Sequence, residues 1–282
     1  MTSKFQEMIE LKKEELKEKN SKKKNIDKRK YYSKEEAIQK IYEVLLEKAQ
    51  IPKEYLNCSF SNFDLDFIPE NKEKVDRLKK FSLHYHEYFR MNNSQQSVVL
   101  YSSENGCGKT HIAVSMGKLI LWEYAKVLYK KNPFKYSIRG VICDELRNIY
   151  PPLFFVSEKK YIWCKKRFKS QDEKIIKYVA DCEKAFLNSE FIIYDDLFRS
   201  RDTDFFFEEL EGIISQRYDE NKAFIFTTNY NIYTIDQEDQ EVNPFSYRVE
   251  QGSYLLSRII KMSKSYIYEF ESYKDYRSDG VY

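Results

Sequence analysis

The chain has 282 residues, of which 48 are Lys or Arg and 45 are Asp or Glu. Its five cysteines are scattered without a Cys-x-x-Cys pair, and no apolar stretch approaches the length of a membrane span. A disulfide framework, a zinc knuckle and a membrane-spanning protein are therefore excluded. The first residues contain no apolar signal core, and we expect a reduced, cytoplasmic protein.

The net charge of +3 is unevenly distributed along the sequence. Residues 1–31 carry a net charge of +5, with the densest basic run at "SKKKNIDKRK" (21–30), so the remaining residues sum to −2. A basic run of this kind is either a solvated arm or a contact for nucleic acid or a protein partner. The charge alone favours the solvated arm.

Helical patterns come first along the chain. Residues 3–19 carry a thin apolar stripe, which predicts a helix that folds against a partner. Residues 33–50 give a stronger prediction, because Ser33 and Glu36 match a capping box and apolar residues recur behind them at helical spacing. A further helix is predicted over 71–91.

Short apolar runs then alternate with helical patterns. Because these runs are apolar throughout, the alternation predicts an α/β fold with a parallel sheet covered by helices on both faces. An irregular connection is expected over 130–152. The predicted strands lie at 97–102, 153–156, 191–196, 223–229 and 265–271, and the predicted helices at 110–129, 157–189 (broken near 169–173), 203–219 and 253–262.

The stretch "SSENGCGKT" (102–110) resembles a phosphate-binding loop with one substitution. The P-loop pattern is Gly, four residues, then Gly-Lys-Ser/Thr, and Ser103 stands where the first glycine is expected. Its two glycines allow backbone amides to face phosphates, Lys109 supplies a cation and Thr110 a magnesium ligand. Because a strand precedes the loop and a helix follows it, we predict a nucleotide site in which Ser103 strains the loop without abolishing it. The predicted cofactor-binding residues are Ser103, Asn105, Gly106, Cys107, Gly108, Lys109, Thr110 and His111.

Polar residues end two of the later strands. In "FIIYDDLF", Asp195 is placed to hold magnesium through water, and Asp196 to polarise the attacking water. Two aspartates after a strand can instead cap the next helix, but the P-loop earlier in the chain favours the catalytic interpretation. At the end of "FIFTTN", Asn229 is placed to reach the γ-phosphate or the attacking water, with Thr228 a less favoured substitute. An ordinary turn asparagine is the alternative.

These three pieces, in this order, resemble the AAA+ ATPases, and within them the bacterial replicative-helicase loaders of the DnaC/DnaI type. The resemblance also rests on "IPKEYLNCSFSNFD" (51–64), "GCGKTHIA", "FTTNY" and "LLSRIIKM", and it covers about residues 51–277. It implies a parallel-sheet P-loop AAA+ core without a C-terminal lid domain. The implied domains are a short basic helical N-terminal region at 1–50 for partner contact and an AAA+ ATPase domain at 51–282.

The resemblance also implies roles for single residues. Lys109, Thr110, Asp195 and Asp196 match the Walker residues, and Asn229 matches sensor 1. Arg258, in "LLSRII", matches the arginine finger that reaches the ATP of a neighbouring subunit. Arg217, in "ISQRYDE", is its rival, and either one is otherwise an ordinary surface arginine.

Single-stranded DNA is implied to lie along "KKRF" (165–168) and "RSRDTDFFF" (199–207). Positive charge tracks phosphates and an aromatic ring stacks on a base, in agreement with such a surface. The candidate DNA-binding residues are Lys166, Phe168, Arg199 and Arg201.

The resemblance predicts an ATP- and Mg²⁺-dependent loader that binds the hexameric replicative helicase and helps to place it on single-stranded DNA during replication initiation. Hydrolysis is expected to be slow and to depend on self-association through the ATP site. One alternative is a transposition helper of the IstB type, which binds DNA and a transposase. Another is a non-catalytic adaptor, for which Ser103 is the main support. Two departures from the loaders are Phe198, where they often have glycine, and the insertion at 130–152.

Overall fold

The structure is a computed structural model, and it describes residues 31–66, 69–88, 96–170, 172–199, 204–233 and 249–271. The helix predicted over 3–19 lies outside these residues. Two helices precede the sheet, α1 (Lys34–Lys48) and α2 (Lys72–Tyr88). The capping box of α1 is confirmed, because Ser33 Oγ accepts from the Glu36 N–H at 3.2 Å and Glu36 Oε2 accepts from the Ser33 N–H at 2.8 Å.

The sheet has five strands, and all of its pairings are parallel. Their order is β2-β3-β4-β1-β5, so the strand before the P-loop lies between β4 and β5. Parallel strands are buried on both faces, which explains their continuous apolar sequences. The predicted parallel sheet is therefore confirmed. The strands are β1 (Val98–Tyr101), β2 (Leu153–Ser157), β3 (Phe191–Leu197), β4 (Ala223–Thr228) and β5 (Ile267–Glu269).

Helices cover both faces of the sheet. Alternate residues of each strand enter two separate cores; in β4, for example, Ala223 and Ile225 pack on one side while Phe224 and Phe226 pack on the other. The first core lies under α1, α2 and the long helix that follows the P-loop. The helices from β1 onward are α3 (Lys109–Lys131), α4 (Pro133–Ser137), α5 (Val141–Arg147), α6 (Glu158–Lys166), α7 (Glu173–Asn188), α8 (Asp204–Asp219) and α9 (Val249–Ser263).

The expectation of an irregular connection over 130–152 was wrong. This region forms the two short helices α4 and α5, which are too short to show a helical period in sequence. Asn132 caps α4 by accepting from the Lys135 N–H at 3.2 Å, and Gly140 precedes α5 with φ 88°. Lys48 of α1 donates to three carbonyls at the end of this insertion, including that of Ile149 at 2.8 Å. The insertion is therefore attached to α1.

The proposed division between residues 1–50 and 51–282 stays a prediction. Helix α1 packs against α3 and α5, and Ile41 and Leu45 are fully buried in the first core. Beyond β4, in the described residues, α9 packs on α8 and β5 extends the sheet, so these elements form no separate lid domain. No helix among the described residues has both the length and the apolar character needed to cross a membrane.

Candidate nucleotide-binding site

A cavity of about 540 Å³ lies at the carboxyl edge of the sheet. This is the edge at which open parallel sheets bind ligands, and the volume lies within the usual range for small-molecule sites. The loop after β1 contributes one wall, the ends of β3 and β4 another, and residues from the segment after α1 the rim. Its lining residues are Tyr55, Asn62, Phe63, Asp64, Asn105, Gly106, Cys107, Gly108, Lys109, Thr110, His111, Asp195, Asp196, Arg199 and Asn229.

The loop adopts the backbone that its glycines allow. Gly106 and Gly108 have φ values of 74° and 86°, in the left-handed region that side chains disfavour. A Cβ at Gly108 would also overlap the ring of Phe63. Ser103, in contrast, does not have a positive φ, is exposed and does not line the cavity. The expected strain at Ser103 is therefore absent, because this position does not need the conformation that glycine provides.

Helix α3 begins with two polar residues, Lys109 and Thr110, that line the cavity. Lys109 is 7% exposed, and its Nζ donates to the Glu104 carbonyl at 2.9 Å. Thr110 Oγ1 donates to Asp195 Oδ1 at 2.7 Å, which joins the first turn of α3 to the end of β3. Because α3 begins at Lys109, its positive dipole end faces the same space. Cation, hydroxyl and helix start are brought together as predicted.

Asp195 is a buried carboxylate that makes no ion pair within hydrogen-bonding distance in the described structure. Its Oδ1 also accepts from Thr227 Oγ1 at 2.8 Å. Burial, with the charge of neighbouring Asp196, raises the pKa of Asp195 to about 6, against the lowering effect of the two hydroxyls and of Lys109. Sequence reasoning missed Thr227. The alternation of side chains along β4 was the available signal, because it places Thr227 on the same face of the sheet as Ala223 and Ile225, the face covered by α3.

The donor set fits magnesium bound together with phosphates. Mg²⁺ is usually held by one or two carboxylates or hydroxyls and by phosphate oxygens rather than by a cage of protein ligands. Thr110 and Asp195 offer such oxygens side by side, and among the described residues there is no cluster of three or more His, Cys, Asp or Glu side chains suited to a metal.

Asp196 follows Asp195 in an unusual conformation. Its φ is 60°, its N–H donates to Thr227 Oγ1 at 2.9 Å, and its carboxylate forms an ion pair with Arg199. Arg199, predicted to contact DNA, thus lies in the cavity wall, although its side chain is 58% exposed. The turn after β3 brings Arg199 back towards Asp196, as the Arg199 N–H to Asp196 O bond of 3.0 Å shows.

Asn229 also reaches the cavity, where its Nδ2 donates to Asn105 Oδ1 of the loop at 3.1 Å. Thr228, the less favoured substitute, does not line the cavity. It is buried, and its hydroxyl donates to the Leu197 carbonyl at 2.8 Å. Of the two, only Asn229 faces the cavity.

The rim of the cavity is formed by residues 55–64, a segment whose position beside the P-loop is not predicted by local sequence patterns. Lys118 of α3 donates to the carbonyls of Leu56 and Cys58 at 2.5 and 2.7 Å, and His111 bonds the Ser59 carbonyl at 2.9 Å. Burial lowers the pKa of His111. The side chains that this segment adds to the cavity were missed. The seven-residue spacing of His111 and Lys118, which places both on one face of α3, was the available signal. The four added residues are Tyr55, Asn62, Phe63 and Asp64.

No protein-family model matches the sequence, and no curated protein matches it. Solved structures do: DnaI superposes with a TM-score of 0.50 at 17% identity, over 80% of this chain and 94% of that one. The chain therefore has the fold of DnaI. The DnaC helicase loader gives a TM-score of 0.48 at 22% identity, over 78% and 100% of the two chains. DnaA from Aquifex aeolicus with AMPPCP gives 0.45 at 14%, over 79% and 51%. At these identities the likeness shows the fold alone.

The two candidate arginine fingers differ sharply in their surroundings. Arg217 is fully buried, and its guanidinium donates to the carbonyls of Phe186, Ser189, Glu190 and Ala223 at 2.7–3.1 Å. It is therefore not placed to reach a neighbouring subunit. Arg258 lies on α9 outside the cavity, where its side chain is 34% exposed and pairs with Glu211 at 3.4 Å.

The remaining DNA-binding candidates lie away from the cavity. Lys166 is the exposed last residue of α6, and Phe168, two residues later, is 45% exposed. Sequence reasoning missed Trp163, which is 49% exposed on the same helix and has the Arg167 guanidinium 4.1 Å from its ring centre. Arg201 lies outside the described residues.

Proposed function

We propose that the protein is an ATP-dependent loader that binds the hexameric replicative DNA helicase and helps to place it on single-stranded DNA in the cytoplasm. The observation that carries the ATPase part is the contact of Thr110 and Thr227 with Asp195 inside a cavity bounded by a glycine-rich loop. The AAA+ fold shared with DnaI and with the DnaC helicase loader supports the loader part.

In the proposed mechanism each side chain of the cavity has one task. Lys109 and the loop amides bind the β- and γ-phosphates, and Thr110 and Asp195 hold Mg²⁺. When bound, Mg²⁺ neutralises charge on the phosphates. Asp196 polarises the attacking water and accepts its proton, while Asn229 orients that water.

Arg258 completes the site in the proposed assembly. It leaves Glu211 and donates to the γ-phosphate held by the neighbouring subunit, which makes hydrolysis depend on self-association. The ion pair that it leaves is partly exposed and 3.4 Å long, so little free energy opposes the change.

DNA is proposed to bind at the exposed end of α6. Lys166 tracks the phosphates and Phe168 stacks on a base, and Arg199 and Arg201 are proposed to contact the same strand. The basic residues 1–30 are the proposed grip on the helicase, because α1 is already packed into the core.

The test is a sizing and pulldown experiment with the replicative helicase of the same genome, with and without ATP. We expect a stable complex that is lost when residues 1–30 are removed. The truncation stops there because α1 belongs to the folded core. Lys131→Ala, at the exposed end of α3, also removes a single positive charge and is the control for Lys109→Ala, the variant that tests the ATP dependence.

The outcomes separate the alternatives. Absence of a complex with and without ATP overturns the loader, and binding of duplex DNA and a transposase instead would establish the transposition helper. A Lys109→Ala variant that delivers helicase to single-stranded DNA normally would overturn the ATP-dependent mechanism in favour of a non-catalytic adaptor.

A further inference from the structure

Glu158 is a buried carboxylate that the proposed mechanism does not yet use. It is the first residue of α6, is fully buried, and its Oε2 accepts from the Phe198 N–H at 2.8 Å. Burying a carboxyl group is unfavourable unless hydrogen bonds compensate for the lost contact with water. A glutamate that only helped to begin a helix would avoid this cost by staying in solvent. Its position therefore indicates a role in the turn that contains Phe198.

That turn is conformationally unfavourable. Asp196 and Phe198 have φ values of 60° and 69°, both in the left-handed region. Residues other than glycine disfavour this conformation, and it persists only where its surroundings hold it. This geometry also explains why glycine suits the position of Phe198, whose side chain is instead buried in the second core.

The turn is held from both neighbouring elements. From β4, Thr227 accepts from the Asp196 N–H at 2.9 Å, and Thr228 donates to the Leu197 carbonyl at 2.8 Å. From α6, Glu158 Oε2 accepts from the Phe198 N–H at 2.8 Å. Release of this last bond would let the strained turn relax and would move Asp196.

We propose that Glu158 is a positioning residue for ATP hydrolysis, which holds the turn after β3 so that Asp196 faces the cavity. This inference rests on the proposed ATPase function. Glu158 does not line the cavity, whereas Lys109, Thr110 and Asp195 do, so nucleotide binding is expected to be independent of it. Because Trp163 lies on α6 and Phe168 lies two residues beyond its end, Glu158 links the proposed DNA surface to Asp196.

The experiment compares Glu158→Ala and Glu158→Gln in the full chain, with Glu173→Ala as matched control. Glu173 also opens a helix, α7, but is exposed, so it controls for the effect of a carboxylate on a helix start. The measurements are kcat and KM for ATP with poly(dT), and Kd for a fluorescent ATP analogue with Mg²⁺. For Glu158→Ala we expect kcat to fall about tenfold or more while Kd stays within about twofold. Glu158→Gln keeps an acceptor and should recover most of kcat.

A second readout does not need activity. Hydrogen exchange of a peptide covering residues 194–199 should be faster in Glu158→Ala than in the wild type and unchanged in Glu173→Ala. Unchanged exchange and unchanged kcat in Glu158→Ala would overturn the inference, and so would equal losses of kcat and ATP binding. Absence of turnover in the wild type would instead sink the ATPase proposal, while the exchange data would still judge whether Glu158 holds the turn.

Discussion

A buried charged side chain lies at each end of strands β3 and β4, Arg217 at the amino ends and Asp195 at the carboxyl ends, and the two have opposite uses. At the amino ends, the guanidinium of Arg217 donates to four carbonyls, among them those of Glu190 and Ala223 where the two strands begin. At the carboxyl ends, Asp195 accepts two hydroxyl hydrogen bonds on Oδ1 and faces a cavity.

Burial disfavours the charged form of both groups. It lowers the pKa of Arg217 to about 9 and raises the pKa of Asp195 to about 6. Arg217 is nevertheless committed to the protein, since backbone carbonyls surround it and it lines no described cavity. The cavity beside Asp195, in contrast, has room for a cation. The comparison teaches that a buried charge is a candidate binding group where the protein leaves it partly unsatisfied beside open space.

The largest expected effect concerns the amino ends of the strands. Replacing Arg217 by Met removes the side-chain donor from four carbonyls, of which Glu190 O keeps the Ala223 N–H at 3.0 Å, and each buried carbonyl left without a donor costs about 1–3 kcal/mol. We expect the free energy of unfolding to fall by at least about 3 kcal/mol in urea titrations, or the variant not to fold. Arg147→Met, at an exposed arginine of α5, should change it by less than about 0.5 kcal/mol. A loss below about 1 kcal/mol for Arg217→Met would contradict a structural role.

The second largest effect is a gain in stability, and it is expected at Asp195, at the carboxyl ends of strands β3 and β4. The pKa of Asp195 in the folded protein, about 6, lies above its ordinary value of 3.8, so ionised Asp195 destabilises the nucleotide-free protein above about pH 6. Asp195→Asn keeps an acceptor for Thr110 and Thr227 and removes that charge. We therefore expect it to stabilise the nucleotide-free protein by up to about 3 kcal/mol at pH 7.5. Binding of ATP with Mg²⁺ should be lost.

The pH dependence of that gain tests its cause. As pH falls from about 6 towards 4 the wild type takes up a proton at Asp195, so the advantage of Asp195→Asn should shrink. Urea titrations at pH 7.5 and pH 5 measure this difference. A gain that stayed constant between the two pH values, or a loss of stability at pH 7.5, would contradict the unsatisfied-charge interpretation.

A smaller change in stability is expected for Asp196→Asn. Asparagine tolerates the left-handed conformation, and removal of the charge lowers the pKa of Asp195 and so relieves part of its cost. Loss of the exposed ion pair with Arg199 acts in the other direction by less than about 1 kcal/mol. We expect a net change within about 1 kcal/mol, retained ATP binding and hydrolysis reduced about 100-fold. Unchanged hydrolysis would remove Asp196 from the mechanism.

The features at the carboxyl ends of strands β3 and β4 could largely be predicted from the sequence, whereas those at the amino ends of these strands could not. Apolar runs located the strands, and the spacing of Lys109 and Thr110 after a strand located the loop. The topology of a parallel sheet then brought Asp195 to the same edge. Arg217, by contrast, has no local pattern that separates a buried arginine from an exposed one on a helix.

The parts that sequence reasoning missed depend on contacts between distant residues. Glu158 meets Phe198 forty residues later, and the rim is held by Lys118, sixty residues after Cys58. Helices α4 and α5 are too short for an apolar period to reveal. In each case the deciding interaction forms only after the sheet has assembled, so local propensity and periodicity carry no record of it.

The smallest expected effect on stability is that of replacing Arg258, in contrast to the large effect expected for Arg217. Arg258→Ala should change the free energy of unfolding by less than about 1 kcal/mol, because its ion pair with Glu211 is partly exposed. If Arg258 acts on a neighbouring subunit, Arg258→Ala subunits keep an intact ATP site and Lys109→Ala subunits keep an intact finger. Mixing the two inactive variants should then restore part of the ATP turnover, whereas Glu211→Ala, which removes only the partner, should keep full turnover. Full turnover by Arg258→Ala alone would place Arg258 outside the mechanism, and no recovery on mixing would show that it does not act on a neighbouring subunit.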